Sequence, residues 1–139
     1  MDMFLSGSVG ETEQIAAKVA ERLGPGSVLA LYGEMGAGKT AFVRGIVKAL
    51  CPECLPLVHS PTFAIVNEYA GEKKTVYHFD FYRIEGEEDL YSTGFYEYRD
   101  GNGILVTEWS ERIPEAIPED AVRIRIEKIS PSERRITIC

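Results

Sequence analysis

Apolar positions along this chain recur in two rhythms, one near 3.6 residues and one of two, and the changes between them mark its elements. Met3 to Leu5 reads as a short first strand. Ser8-Val9-Gly10-Glu11 has capping-box spacing, with Ser8 as N-cap and Glu11 reaching back. The helix it starts carries Ile15, Ala16, Val19, Ala20 and Leu23 on one face, with Glu13, Lys18, Glu21 and Arg22 largely opposite. Gly24-Pro25-Gly26 stops it. Val28 to Tyr32 is apolar without a break, as expected of a central parallel strand covered on both faces. Phe42, Val43, Ile46, Val47 and Leu50 form a second helical stripe, stopped by Pro52.

The second half is richer in strands. Residues 51–61 hold Pro52, Pro56 and Pro61 and are expected to be a loop. Thr62 to Tyr69 and Lys74 to Tyr82 read as two strands of a hairpin, with a turn over Ala70 to Lys73. Glu85 to Leu90 is expected to start a short helix, and Gly94 to Tyr98 to be a surface loop or turn. Ile104 to Thr107 is another apolar strand, ending in Glu108-Trp109. Val122, Ile124 and Ile126 alternate with Arg123, Arg125 and Glu127 ahead of Arg135 to Ile138, which suits antiparallel strands with one wet face.

Between the second strand and the second helix lies Gly33-Glu34-Met35-Gly36-Ala37-Gly38-Lys39-Thr40, a match to G-x-x-x-x-G-K-[ST] at every fixed position. Strand, glycine-rich loop and helix are the setting in which such a segment cradles a polyphosphate. The glycines let the backbone curl closely and aim N–H groups inward, and the helix end adds its positive dipole. Lys39 is then placed for the outer phosphates and the Thr40 hydroxyl for magnesium. The nucleotide-binding stretch runs from Gly33 through Ala41. With this motif the elements sum to an α/β fold: a P-loop NTPase-like mixed sheet sandwiched by helices, with an antiparallel hairpin insertion, in a single domain spanning 1–139.

Composition narrows the picture. A chain of 139 residues with 45% apolar content can bury a core of its own. No apolar run reaches membrane-span length and the first residues are not those of a signal peptide, so a cytoplasmic protein without membrane attachment is expected. The net charge of −7 argues against a dedicated nucleic-acid binder, so any RNA is expected to be held by a partner. Cys51-Pro52-Glu53-Cys54 has metal or redox spacing, but only His59, His78 and Cys139 remain as further soft ligands. Reduced structural thiols are the expectation.

Turnover needs an acid at the end of a neighbouring strand to hold magnesium or its waters. Asp80 ends the run Val76 to Asp80 and Glu108 ends the run Ile104 to Glu108; the spacing leaves open which is the inner-sphere ligand. Ser60-Pro61-Thr62 lies where many P-loop proteins sense the γ-phosphate, so Thr62 either touches metal or phosphate or belongs to a plain loop-to-strand turn. His78 is expected to be packed or hydrogen-bonded, Arg83 to neutralise charge or pair with Glu85 or Glu87, and Trp109 to be a buried anchor or a partner contact.

Gly-Glu-Met-Gly-Ala-Gly-Lys-Thr (33–40), Ser-Pro-Thr-Phe (60–63), His-Phe-Asp-Phe-Tyr-Arg (78–83) and Val-Thr-Glu-Trp (106–109), in this order, resemble the bacterial TsaE (YjeE) proteins over nearly the whole chain. The resemblance implies a magnesium-dependent ATPase, with ATP and Mg2+ as cofactors, needed to make threonylcarbamoyladenosine beside the tRNA anticodon. It implies partnership with TsaB and TsaD, the latter transferring the threonylcarbamoyl group, with tRNA met only through that complex. The ATPase is thought to regenerate the complex between cycles. Carried over motif by motif, Lys39 and the loop backbone hold the phosphates, and Thr40, Glu108 and Asp80 serve the metal. Thr62 belongs to the loop over the nucleotide, and Thr12 and Arg135 match positions near the nucleotide. Phe81 and Thr107 depart from the usual aliphatic residues.

Two other functions share the motif: a small-molecule kinase, which needs an acceptor pocket and usually a lid supplying arginines, and a nucleotide-sensing adaptor with negligible turnover. A GTPase is excluded by the lack of an Asn-Lys-x-Asp guanine reader.

Overall fold

The computed structural model describes residues 2–34, 36–59 and 65–139. Seven strands form one sheet in the order β1-β7-β6-β2-β5-β4-β3. They are β1 (Asp2–Ser6), β2 (Val28–Tyr32), β3 (Val66–Ala70), β4 (Thr75–Asp80), β5 (Ile104–Glu108), β6 (Val122–Lys128) and β7 (Arg134–Ile138). The centre, β6-β2-β5-β4, is parallel; β3, β7 and β1 join antiparallel at the edges. This is the mixed sheet with a hairpin that the apolar patterning predicts.

Helices α1 (Val9–Ala20) and α2 (Lys39–Leu50) cover one face. Ser8 caps α1 as expected: its Oγ accepts from the Glu11 N–H, and Glu11 Oε2 accepts from the Gly7 N–H. The apolar stripes of both helices pack with Leu29, Leu31, Val76, Val106, Ile124 and Ile136 into the larger core. The two helices cross at Gly45, where a Cβ would fall on the Glu13 carbonyl and 2.6 Å from the Ala16 methyl. Glycine is what lets α1 come so close.

The other face is only half covered. Phe79, Phe81, Leu105 and Ala30 pack there against α3 (Glu87–Ser92), α4 (Phe95–Arg99) and the short 3-10 turns at Ser110–Arg112 and Pro114–Ala116. Helix α4 stands where the sequence suggested a surface loop. Gly94, at φ 80°, opens it, and fully buried Phe95 sets its ring edge-on to Phe79 and Phe81 at 5.2 Å each. Phe81 is thus accounted for, as part of that aromatic cluster. Residues Pro52–Leu57, expected to be loop, form a 3-10 helix with Cys54 buried beneath it. Over β6 and β7 the outer face stays open, as the apolar/charged alternation predicted. No helix among the described residues is long and apolar enough to cross a membrane.

Candidate active site at the carboxyl edge of the sheet

Because β2, β5 and β4 run parallel, their carboxyl ends share one edge, where open α/β sheets bind ligands. Asp80 stands opposite Glu108 in register, and Glu108 opposite Leu31, two residues before the glycine loop. Strand parity does the rest. Glu108 falls on the face of Ile104 and Val106, and Asp80 on that of Val76 and His78, so both acids look toward the α1–α2 side. The paired carboxylates inferred from two strand ends are therefore neighbours.

The loop between β2 and α2 is shaped by its glycines. Gly36 and Gly38 have φ of 81° and 107°, and a Cβ on Gly33 (φ 153°) would lie 2.6 Å from the Ile126 carbonyl. Gly38 is the N-cap of α2 and brings no side-chain acceptor to the first N–H groups of that helix. Thr40 is exposed in that first turn and Ala41 half-buried behind it.

Lys39 is only 7% exposed. Its Nζ lies 3.6 Å from Glu108 Oε1 and 4.6 Å from the centre of the Trp109 ring. Trp109 is the one non-glycine residue with positive φ among the described residues, at 59°. That turn, directly after Glu108, brings its half-buried indole under Lys39. Tyr82 packs on the indole at 5.0 Å, and the Arg112 guanidinium lies 5.2 Å from the Tyr82 ring.

The two acids differ electrostatically. Burial alone would raise the Glu108 carboxyl, but the His78 hydrogen bond and charge, followed by those of Lys39, outweigh it and hold Glu108 below its ordinary value. Asp80 is pushed up, chiefly by burial and also by the Glu108 charge, against the Tyr82 N–H that donates to its Oδ1 at 2.9 Å. One acid is held down by His78 and Lys39; the other is pushed up and, among the described residues, has only its Oδ1 hydrogen-bonded.

Several expected site residues stand elsewhere. Arg135 points away from the loop: adjacent strand residues face opposite ways, and its guanidinium binds Glu127 at 3.1 and 3.2 Å on the outer face. Its neighbour Arg134 is the residue that meets the loop, donating from Nε to the Ala37 carbonyl at 2.9 Å and from a terminal nitrogen to the Ser130 carbonyl. Thr12 is buried with its hydroxyl 2.7 Å from Ser6 Oγ, which braces the β1–α1 connection and leaves that oxygen engaged in the protein interior. Thr62 and Met35 lie outside the described residues. Cys51 and Cys54 are buried, and burial followed by the neighbouring Cys54 pushes the Cys51 thiol up to about 12, as suits a structural thiol.

The chain has counterparts among known proteins in sequence and in fold. The family described as "Threonylcarbamoyl adenosine biosynthesis protein TsaE" matches residues 6–136. The chain belongs to the TsaE family. Among curated TsaE-family relatives, the Bacillus subtilis "tRNA threonylcarbamoyladenosine biosynthesis protein TsaE" is 41% identical over 128 residues, covering 91% of this chain and 78% of that protein. The Rickettsia conorii protein of the same name is 36% identical over 98% of this chain and 77% of its own length. In fold, this TsaE-family chain is similar to the crystal structure of Bacillus subtilis YdiB, with a TM-score of 0.78 and 32% identity, covering 99% of this chain and 83% of that one. The resemblance drawn from the four motifs is thereby confirmed, and so is the α/β fold.

The role of Arg134 at the candidate site went unread in the sequence, and so did which residue His78 bonds to. Arg134 needed only the parity of β7, fixed by buried Ile136 and Ile138. The partner of His78 needed the β4–β5 register, which no local pattern carries.

Proposed function

We propose that this chain is a magnesium-dependent ATPase acting in tRNA threonylcarbamoyladenosine biosynthesis together with TsaB and TsaD. The observation that carries the proposal is a buried lysine at an uncapped helix N-terminus, poised between Glu108 and Trp109 with Asp80 alongside. The residues fit the cofactor. A hydroxyl and two carboxylates offer the hard oxygens magnesium prefers, while the Cys51 thiol belongs to the core and does not compete. Among the described residues no three His, Cys, Asp or Glu side chains form a metal cage, in keeping with an ion that retains most of its waters.

In this proposal the N–H groups of Gly36 to Thr40 receive the phosphates, and Lys39 leaves Glu108 to reach the outer ones. Thr40, Asp80 and Glu108 would hold the ion, which would supply neutralisation of phosphoryl charge. Glu108 and Asp80 also order water beside the γ-phosphate. Arg134 braces the loop through its carbonyls rather than through a phosphate, so the chain brings little positive charge to the transition state beyond Lys39. Slow hydrolysis alone and faster hydrolysis with the partner subunits follow.

Phosphate release from Mg–ATP, measured with and without TsaB and TsaD, tests this. The expected result is turnover that rises on adding both and vanishes in Lys39→Ala. Binding of ATP with no hydrolysis in either setting would favour the adaptor; phosphate appearing on an added nucleoside or sugar would favour the kinase.

A further inference from the structure

His78 is fully buried, on β4 between Asn67 of β3 and Val106 of β5 in register, and it shares a face with Val76 and Asp80. Its Nε2 donates to Glu108 Oε2 at 2.5 Å. Its Nδ1 has no partner among the described residues. For packing alone this is a poor choice of side chain. An apolar residue would fill the slot without leaving a ring nitrogen desolvated and unpaired, at a site where unmade hydrogen bonds are costly. What an apolar residue lacks is a donor for Glu108.

That donor matters because of how Glu108 is held. Its carboxylate is fixed from two sides, Oε2 by His78 and Oε1 by Lys39 at 3.6 Å. The two holds are not equivalent. Lys39 belongs to the glycine loop's own helix and is the group that a triphosphate recruits. His78 sits on β4, flanked by β3 and β5. Once Lys39 turns to phosphate, His78 is the donor that remains on Glu108.

We propose that His78 is a positioning residue for hydrolysis: it grips Oε2 of Glu108 so that Oε1 stays turned toward the N-terminus of α2 after Lys39 has gone to the nucleotide. The proposal rests on the ATPase assignment above. Hydrogen-bonded neighbours of ligating carboxylates commonly contribute about 10–100-fold to activity or metal affinity.

The test uses the full chain, alone and with TsaB and TsaD, in four forms: His78→Leu, His78→Gln, Glu108→Gln and the double variant His78→Leu/Glu108→Gln. His78→Leu is expected to lower kcat by about 10–100-fold while KM for ATP stays within about threefold. His78→Gln, which keeps an amide donor near the lost Nε2, is expected to recover most of the rate. On top of Glu108→Gln, His78→Leu is expected to cost nothing further, since it acts through that carboxylate. A readout without nucleotide accompanies these: the ring-nitrogen magnetic resonance signals of His78 are expected to shift in Glu108→Gln. That measurement, with His78→Gln, decides the matter even where His78→Leu fails to fold.

Wild-type turnover in His78→Leu, a full second loss in the double variant, or His78 signals unmoved by Glu108→Gln would each overturn the proposal while leaving the ATPase assignment standing. Absence of hydrolysis by the wild-type chain in both settings would overturn the assignment and this proposal together.

Discussion

Glu108 is asked to do two things that can be separated by substitution. It holds Lys39 in the resting site, and in the proposed ATPase it serves the metal and water. With the oxygen facing Lys39 exchanged for an amide, Lys39 loses an ionic partner and reaches phosphate more readily. Glu108→Gln should therefore bind ATP at least as tightly as wild type, while hydrolysis falls about a hundredfold or more. The single tryptophan, Trp109, lies against Lys39 and supplies the binding signal, since moving the ammonium off its ring alters the indole's surroundings. Parallel loss of binding and hydrolysis would mean that Glu108 organises the phosphate cradle itself. Glutamine is the better probe than alanine here, because alanine leaves both Lys39 and His78 buried without an acceptor. At this scale the sequence was legible where chemistry imposes spacing: Lys39 from the loop motif, Asp80 and Glu108 from strand ends. It was not legible for Arg134 against Arg135. Neighbouring strand residues are alike in composition and opposite in direction, so a one-residue error moves a guanidinium to the other face of the sheet.

Elements were legible in proportion to their length and periodicity. Helices α1 and α2, of 12 residues each, announce themselves by their apolar stripes, whereas α4, of five residues, has too few positions for a period to emerge. What forms α4 is the burial of Phe95 between Phe79 and Phe81, a tertiary fact. The α1–α2 contact makes a prediction of its own. Gly45→Ala gains helix propensity of about 1 kcal/mol, yet places a methyl on the Glu13 carbonyl and against Ala16, where overpacking costs about 1–3 kcal/mol or more. Because the obstructing atom is backbone, the clash should win, and thermal melting should fall by several degrees. An unchanged or raised Tm would show that the helices part freely. The junction between α2 and β3 carries a pH dependence. Cys51, buried and hydrogen-bonded through its thiol to the Tyr69 carbonyl, is raised from 9.0 to about 12 on folding. Above pH 9 the unfolded chain gives up that proton before the folded one does, so the contribution is intact below pH 9 and is lost as pH climbs toward 12. Denaturant titrations should show wild-type stability falling more steeply than that of Cys51→Ala across that window. Equal slopes would place the thiol in a wetter setting than its burial implies.

At the scale of the whole molecule, sheet direction and surface charge assign different tasks to different faces. The parallel centre collects the carboxyl ends of β2, β4 and β5 at one edge and makes the site there. The antiparallel flank leaves the outer face of β6 and β7 bare, and on it lie Arg123, Arg125 and Arg135. This row is the natural suspect for contact with tRNA, but most of its donors are already engaged within the protein. Arg123 donates to the carbonyls of Pro118, Glu119 and Ala121, Arg135 is paired with Glu127, and Arg125 lies 5.8 Å from the Tyr32 ring. Around it the chain carries a net charge of −7. Binding to RNA backbones draws on freely presented lysines and arginines that displace counterions, and its strength falls steeply with salt. A molecule so constituted should bind tRNA no better than about 100 µM at physiological salt, at the weak end of ordinary non-specific binding. Gel-shift or anisotropy titrations of this chain with tRNA, repeated across a salt series, measure it directly. Submicromolar affinity with a steep salt slope would move tRNA handling onto this chain and make the β6–β7 face its footprint. The expected flat, weak response leaves the tRNA to the proposed partner subunits and this chain to the proposed nucleotide.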